Sequence, residues 1–239
     1  MKHQAFILSP LTKIVEETVT SCYGIGDGIN TSSISEYVFQ SLFLRMTGAL
    51  EQKMKCICWD MATYDYEYRY KKFNQKGIGE CSSYEDKKIV INDIISNIKK
   101  EEKSFDPLKE IDRDSLLKNL REDIIPQLFK DTSLEKWNHH DYMNCLDILK
   151  GIKANQLLIN GNGFFENKLK DIYDKVYRHR NRCAHNTLSY QENLPTLKTL
   201  SDEDYIYENF FLRYAILILI DKITITLYNK YLNVMGMQT

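Results

Sequence analysis

Three arginines and two histidines lie close together between Arg178 and His185, and this cluster is the part of the chain whose residue types best suit chemistry on an anion. An arginine stays protonated at neutral pH and can donate two hydrogen bonds to one phosphate. A histidine titrates near neutral pH and can act as a general base or a general acid. Arg180 and His185, with Asn181 between them, therefore predict a site that holds a phosphate and moves a proton.

An amphipathic helix must position this cluster. Its apolar face is formed by Leu169, Ile172, Tyr173 and Val176. The same helical period brings Arg180 beside that apolar face. Five residues of a regular helix turn through about 500°, so Arg180 and His185 would lie roughly 140° and 7–8 Å apart. The two side chains can converge only if the helix loosens after about residue 184, where residues 186–187 could end it.

Two alternatives to a phosphate site remain open for the basic cluster. Cationic side chains in the last turn of a helix are stabilised by its dipole, by a few tenths to about 1 kcal/mol each. The cluster could therefore be purely structural. Alternatively, Cys183 could be a nucleophile, because neighbouring arginines would lower the pKa of its thiol, although small half-buried cysteines are more often inert.

The pattern Arg180-Asn181-x3-His185, near the end of a long helix in a chain of helical patterns, resembles the Arg-x4-6-His signature of the HEPN superfamily (higher eukaryotes and prokaryotes nucleotide-binding). The resemblance implies an all-α fold, a helical bundle built around long antiparallel helices, with extra short helices inserted before the motif helix. Residues 1–239 would form a single domain of this kind, and residues 104–141 would be a peripheral helical elaboration of it.

The resemblance also implies an activity, that of an endoribonuclease that needs no metal and no cofactor. In such an enzyme the 2′-hydroxyl of the RNA attacks the adjacent phosphate and leaves a 2′,3′-cyclic phosphate end. The resemblance gives the catalytic roles to Arg180, Asn181 and His185. We expect the RNA backbone to be held by Arg178, His179 and Arg182.

One copy of the motif supplies one histidine, whereas combined acid and base catalysis calls for two. The resemblance therefore implies a homodimer with a composite active site, and we expect single-stranded or loop RNA as the substrate. It also implies a toxin or antiviral defence role, with a possible antitoxin or regulatory partner. In the toxin branch paired with a nucleotidyltransferase antitoxin, a tyrosine stands where this chain has Thr187, so regulation by tyrosine modification is not expected.

Two other classes of function remain as alternatives. One is a catalytically silent HEPN domain that acts as a nucleotide-binding or dimerisation module. The other is an all-helical regulatory or interaction protein in which the basic helix end is structural.

Glu51 is our candidate for a supporting acid, because in the family an acidic or polar residue of an early helix often faces the motif. It lies in a helical pattern that starts at a capping box of Ser33 and Glu36 and runs to about residue 76. A pattern of this length must curve, break near Gly48 or extend to a partner. The alternative is an exposed glutamate that pairs with Lys55, four residues further on.

Four tyrosines occupy alternate positions from Tyr64 to Tyr70 and are interleaved with charged residues. Alternation is typical of a strand, but on a helix the same residues form two pairs spaced by four. Aromatic rings among cations could stack RNA bases. Covering a helical interface is the more common use of such tyrosines.

The remaining patterns predict further helices and loops. Helices are expected at residues 11–23, 114–125, 141–154 and 205–234, and another begins at a capping box of Ser82 and Glu85 and buries Ile89. Residues 155–163 are interpreted as a hinge, and the polar loop 186–201 as a segment that contacts substrate. The glycine-rich residues 24–30 lack a Gly-Lys-Ser/Thr ending, so they predict a turn.

Composition limits the possible partners. The 239 residues are 43% hydrophobic and 27% charged with a net charge of −1, so a polyanion must be bound by a local patch. Six scattered cysteines do not form a disulfide framework, and neither Cys56, Cys58 and Cys81 nor the stretch 139–141 has the spacing of a zinc site. We expect no secretory leader, no membrane span in the apolar run 215–220, and a cytoplasmic location.

Overall fold

The computed structural model describes residues 2–28, 31–75, 81–160, 163–166, 169–176, 180 and 209–237. In these ranges the protein is all-α except for one two-stranded hairpin, which confirms the predicted fold class. The buried apolar side chains of these ranges form one continuous core.

The described helices follow one another in chain order. They are α1 (Lys2–Leu8), α2 (Thr12–Ser21), α3 (Ser32–Tyr64), α4 (Tyr66–Arg69), α5 (Tyr84–Glu101), α6 (Pro107–Glu110), α7 (Arg113–Asn119), α8 (Ile125–Phe129), α9 (Ser133–Trp137) and α10 (His139–Gly151). Residues 169–176 and residue 180 are helical and are called the motif helix, α11. The last is α12 (Phe210–Val234). Short π-helical turns cover Tyr70–Gln75 and Leu120–Ile124, and a 3-10 turn covers Ala154–Gln156.

Helix α12 lies at the centre of the fold and packs against α5 and α3. Its side chains from Phe211 to Asp221 are all buried, as expected for a helix that is apolar on every side. Within this apolar helix, Asp221 forms an ion pair of 2.5 Å with Lys53 of α3, and both side chains are 2% exposed. Asp221 also accepts a hydrogen bond from the backbone N–H of Leu11, so one carboxylate joins α3, α12 and the start of α2.

The start of α12 differs from the prediction. Asn209 has an extended backbone and accepts a hydrogen bond from the N–H of Leu212, so the helix begins at Phe210 and not at Tyr205. An asparagine cap satisfies an otherwise unpaired backbone donor, which fixes the boundary. In the described ranges, no helix combines the length and apolarity that a membrane crossing requires.

Helix α3 is long, as predicted, but its ends are not where the sequence placed them. The helix begins at Ser32 after Thr31, which makes no side-chain cap, so the predicted capping box at Ser33 is wrong. It passes through Gly48 without a break and ends at Tyr64. Asp65 breaks the helical line because its backbone is extended and its side chain accepts from the N–H of Tyr68, which starts α4.

The tyrosine run is helical and not a strand, but Asp65 divides it between α3, α4 and the following π-helical turn. Tyr68 is buried and donates a hydrogen bond to Asp93 of α5 at 3.0 Å. The other three tyrosines are exposed. One tyrosine of the run therefore covers a helical interface, and three lie at the surface.

Several other helix boundaries differ from the predicted ones by a few residues, because a neighbouring side chain forms the cap. Helix α5 is capped by Ser83 with Asp86 and not by Ser82 with Glu85, and Ile89 is exposed and not part of its buried face. The cap of α10 is Asn138 and not Asp141. At the chain start, α2 confirms the helix predicted at residues 11–23, and α1 precedes it as a helix that was not predicted.

The short helices between residues 104 and 141 were predicted as an elaboration, and they are short. They also supply core side chains. Leu120, Ile125, Phe129 and Leu134 are buried, and the ring of Phe129 packs edge-on against Phe211 of α12 at 5.0 Å. Residues 104–141 therefore help to cover the central helix.

A β-hairpin leads into the motif helix where a hinge was predicted. Strands β1 (Leu157–Asn160) and β2 (Gly163–Phe165) pair antiparallel. The hydroxyl of Tyr84, the first residue of α5, accepts hydrogen bonds from the backbone N–H groups of Phe164 and Phe165. Gly163 has φ +134°, and a Cβ there would lie 2.7 Å from the Tyr84 hydroxyl. The hairpin just before the motif helix is therefore packed closely against α5.

Candidate functional site

The motif helix packs as its sequence pattern predicts. Its four apolar side chains are all 5% exposed or less; they are Leu169, Ile172, Tyr173 and Val176. Arg180 is helical and follows Val176 by four residues, about the spacing of one helical turn. Its side chain is 23% exposed, so the guanidinium lies between the core and the solvent.

Glu51 of α3 meets this arginine. Its carboxylate accepts a hydrogen bond from Nη2 of Arg180 at 2.8 Å, which makes an ion pair between the two helices. Glu51 is 8% exposed, so the alternative of an exposed glutamate on the helix surface is wrong. Of the candidate site residues, Arg180 and Glu51 are the two that the structure describes, and it brings them together.

A second cation, Lys87 of α5, lies beside this pair. Glu51, Lys87, Tyr173 and Arg180 all line one small cavity of about 10 Å³. Lys87 is buried and donates hydrogen bonds to the backbone carbonyls of Cys81 at 2.7 Å and Ser82 at 2.8 Å. Its ammonium also lies 5.4 Å from the centre of the Tyr173 ring. The cluster thus holds two cations and one carboxylate at the meeting point of three helices.

Tyr173 links the motif helix to the start of α5. Its hydroxyl donates to the carbonyl of Ser82 at 3.0 Å, and Lys87 donates to the same oxygen. Shared acceptors of this kind fix two side chains relative to each other. The register of α11 against α5 is therefore set by polar contacts as well as by apolar packing.

Burial lowers the pKa of Lys87 to about 8, while the negative charge of Glu51 works in the opposite direction and the positive charge of Arg180 adds to the lowering. Removing an ammonium from water disfavours its charged form. A lysine with such a pKa can exchange a proton near physiological pH.

Lys87 was not among the predicted site residues, although the sequence contains a signal for it. The buried face of α5 continues from Lys87 through Ile91 and Ile94 to Ile98 at helical spacing. A lysine in line with buried isoleucines needs an internal partner, because an unpaired buried charge is costly. That signal predicts a polar cluster but does not identify its members.

The other predicted site residues lie outside the described residues. These are Asn181 and His185, the RNA-binding candidates Arg178, His179 and Arg182, the alternative nucleophile Cys183, and the loop 186–201. Of the six residues from Arg180 to His185, Arg180 is therefore the one that the structure describes.

Cysteine, histidine and acidic side chains are the potential metal ligands of this chain. Within the described ranges, no three His, Cys, Asp or Glu side chains are placed to hold a metal ion. Cys58 and Cys81 are buried and hydrogen-bonded to each other, and this contact lowers the pKa of Cys81. His139 is paired with Glu135 on the solvent side.

The chain was also compared with known proteins. It matches no protein-family model, no curated protein and no solved structure. Its function must therefore be inferred from its own residues and their geometry.

Proposed function

We propose that this protein is a metal-independent endoribonuclease with a HEPN-like site centred on Arg180 and His185. The observation that supports the proposal most directly is the ion pair of Arg180 with the buried Glu51. It holds the guanidinium of the motif helix next to the second cation, Lys87. A positioned arginine of this kind stabilises negative charge without reorganising during the reaction.

In the proposed reaction the 2′-oxygen of the RNA attacks the adjacent phosphorus, and the bond between phosphorus and the 5′-oxygen breaks. The proton of the 2′-hydroxyl passes to a base, and the departing 5′-oxygen takes a proton from an acid. His185 fills one of these roles. The partner subunit's His185 fills the other in a two-fold symmetric dimer.

The remaining side chains bind and orient the substrate. Arg180 donates to the non-bridging phosphate oxygens, on which charge grows in the transition state. Asn181 orients the phosphate or the histidine, and the flanking cations hold the RNA backbone; these are Arg178, His179 and Arg182. Glu51 acts through Arg180 as a positioning residue.

A second candidate function is a dimerisation or nucleotide-binding module of the same fold without catalysis. The observation that favours it is also the Glu51–Arg180 pair, because an ion pair between a guanidinium and a carboxylate can join two helices without any part in a reaction. The cavity beside the pair, about 10 Å³, has room for about one water molecule and not for a phosphate. On this account, phosphate would have no place at Arg180.

The test is cleavage of a labelled single-stranded RNA in EDTA, beside a copy in which one linkage carries a 2′-deoxy sugar. We expect the RNA to be cut and the modified linkage to survive, because its nucleophile is missing. Arg180→Ala and His185→Ala should each reduce the rate by at least about a hundredfold. If these variants cut like wild type, or if wild type leaves RNA intact, the nuclease proposal is wrong.

Sedimentation of the same variants separates the two candidate functions. For a nuclease, His185→Ala should keep the dimer and the fold while losing cleavage. For a silent module, Arg180→Ala should weaken the dimer or the fold in a protein that never cut RNA.

A further inference from the structure

A concave surface with exposed aromatic rings lies near the end of α3. It is called the aromatic cleft and is lined by Trp59, Ala62, Thr63, Tyr66, Arg69, Tyr70 and Phe73. Its volume is about 510 Å³. Trp59 is 57% exposed and Tyr66 is 78% exposed, so their rings lie largely in solvent. Exposed apolar area grouped in this way commonly marks a binding surface.

The backbone that carries these rings is held in place by contacts with α5. Asp65 ends α3, caps α4 through the N–H of Tyr68 and forms an ion pair with Lys100 of α5. The buried Tyr68 donates to Asp93 of α5, and Lys72 pairs with the same carboxylate at 2.6 Å. The chain from Asp65 to Lys72 is therefore held by contacts with α5, and these contacts shape the cleft without a bound partner.

The rings are arranged so that flat faces remain available. Trp59 and Phe73 meet edge to face, with centroids 6.1 Å apart and planes at 88°. An edge-to-face pair of this kind uses only the edge of one ring in the contact. The π-helical turn from Tyr70 to Gln75 is an uncommon element that often accompanies functional sites.

The chemistry of the lining favours a nucleic-acid base over a protein partner. Ala62 is the single aliphatic residue in the lining, and the rest is aromatic or polar. The exposed Arg69 makes no ion pair with any residue that the structure describes, so its guanidinium can meet a phosphate. The volume lies in the range of small-ligand sites, whereas protein interfaces rely on larger and flatter contact areas.

The position of the cleft relative to Glu51 agrees with this choice. Trp59 follows Glu51 by eight residues on α3, which is about 12 Å along the helix. A stacked strand that rises 3.4 Å per nucleotide covers this distance in about four nucleotides. Eight residues also turn the helix by about 80°, so the path from Arg180 to the cleft is longer than this axial distance and takes at least about four nucleotides.

We propose that the aromatic cleft binds single-stranded RNA by stacking its bases on Trp59 and Tyr66, at least about four nucleotides from the phosphate at Arg180. The second part of this assignment rests on the proposed nuclease function, but the stacking itself does not. Arg69 contributes charge to the sugar-phosphate backbone beside the stacked bases. The preference is for base-bearing single strands with little sequence specificity, because every base offers a flat face.

The experiment measures binding of a fluorescent 2′-O-methyl RNA of twelve nucleotides, which cannot be cut by its own 2′-oxygen. An abasic oligomer of the same length serves as the second probe. We expect wild type to bind the base-bearing strand at least about tenfold more tightly than the abasic one. Trp59→Ala and Tyr66→Ala should each weaken binding of the base-bearing strand by roughly tenfold, and Trp59→Phe should retain most of it.

Tyr37→Ala is the matched control, because Tyr37 is an exposed tyrosine of the same helix outside the cleft. It should bind both probes like wild type. Equal binding of the two probes, or unchanged binding in Trp59→Ala and Tyr66→Ala, would overturn the stacking proposal. Failure of wild type to bind the base-bearing strand would do the same. If the cleft variants instead lose self-association in sedimentation, the cleft is a contact between copies of the chain and the proposal is wrong.

The result of this binding experiment can be distinguished from the result of the nuclease test. Weaker binding in the cleft variants, in a protein that never cuts RNA, supports the cleft and rejects the nuclease. Cleavage with unchanged KM in Trp59→Ala supports the nuclease and rejects the cleft.

Discussion

The guanidinium of Arg180 donates to the carboxylate of Glu51 at 2.8 Å, although 129 residues of chain separate them. This contact joins the motif helix to α3, and Lys87 of α5 lines the same cavity. The three charged side chains come from three helices that share the core. Their arrangement fixes the position of Arg180 relative to α3 and α5.

Glu51→Gln should destabilise the protein by about 1.5–3 kcal/mol, because it removes the charge from a buried hydrogen bond while keeping the shape. Urea unfolding at pH 7 measures the change. The control is Glu36→Gln, which alters an exposed glutamate of the same helix that accepts from Gln40. That variant should stay within about 0.5 kcal/mol of wild type. Equal effects of the two substitutions would mean that the contact with Arg180 adds no stability.

Lys87 should make stability depend on pH. Its pKa is lowered to about 8 in the folded protein from 10.5, so between these values the unfolded chain binds more protons and stability rises with pH. The stability that the neutral Lys87 side chain gives at high pH is lost progressively as the pH falls from 10.5, and the loss is complete once the pH has passed below the folded pKa of about 8. Between pH 7 and 10, the free energy of unfolding of wild type minus that of Lys87→Met should increase by up to roughly 3 kcal/mol.

Both proteins should carry Cys81→Ser, because the hydrogen bond with Cys58 and the charge of Lys87 both lower the pKa of Cys81, and the titration of that thiol would otherwise differ between them. Subtraction of the variant then removes the titration of the other cysteines and of the tyrosines. Lys99→Met, which removes an exposed lysine of the same helix, is the control and should give a flat difference curve. A flat curve for Lys87→Met as well would show that its ammonium is not desolvated in the folded protein.

Lys53→Met should destabilise the fold by about 3–5 kcal/mol, because it leaves the buried carboxylate of Asp221 without its counter-charge. The double variant Lys53→Met/Asp221→Leu should recover much of this loss, except for the hydrogen bond that Asp221 accepts from Leu11. The free energies of unfolding in urea give both values. Single and double variants of equal stability would argue against a coupled buried pair.

Gly163→Ala should destabilise the hairpin by more than about 1 kcal/mol, because the new Cβ would lie 2.7 Å from the Tyr84 hydroxyl at φ +134°. Gly151→Ala is the matched control. A Cβ at Gly151 meets nothing within 4 Å, and its effect should be small or stabilising. Thermal unfolding compares the two. Similar midpoints would mean that β2 can move away from α5 at little cost.

The sequence allowed some parts of this arrangement to be predicted and not others. The buried face of the motif helix and the burial of α12 were predicted because helical periodicity is a local property of the chain. The contact of Glu51 with Arg180 followed only from a family resemblance. No spacing within one helix reveals which residue of a distant helix will face it.

The errors also have physical causes. Ser82 and Ser83 each precede an acidic residue by three positions, so the local sequence does not decide between them, and the tertiary contacts of Ser82 and Tyr84 become visible only in the fold. The hairpin was missed because its strands have only four and three residues. Asp65 was missed as a helix break because its capping role depends on the contact of α4 with α5.

The most direct test of the proposed function is the chemistry of the new RNA ends. Mass analysis of the products made in EDTA should find a 2′,3′-cyclic phosphate on one fragment and a 5′-hydroxyl on the other, and neither in His185→Ala. Fragments with a 5′-phosphate, or cyclic ends made equally by His185→Ala, would contradict an attack by the 2′-oxygen that depends on this site.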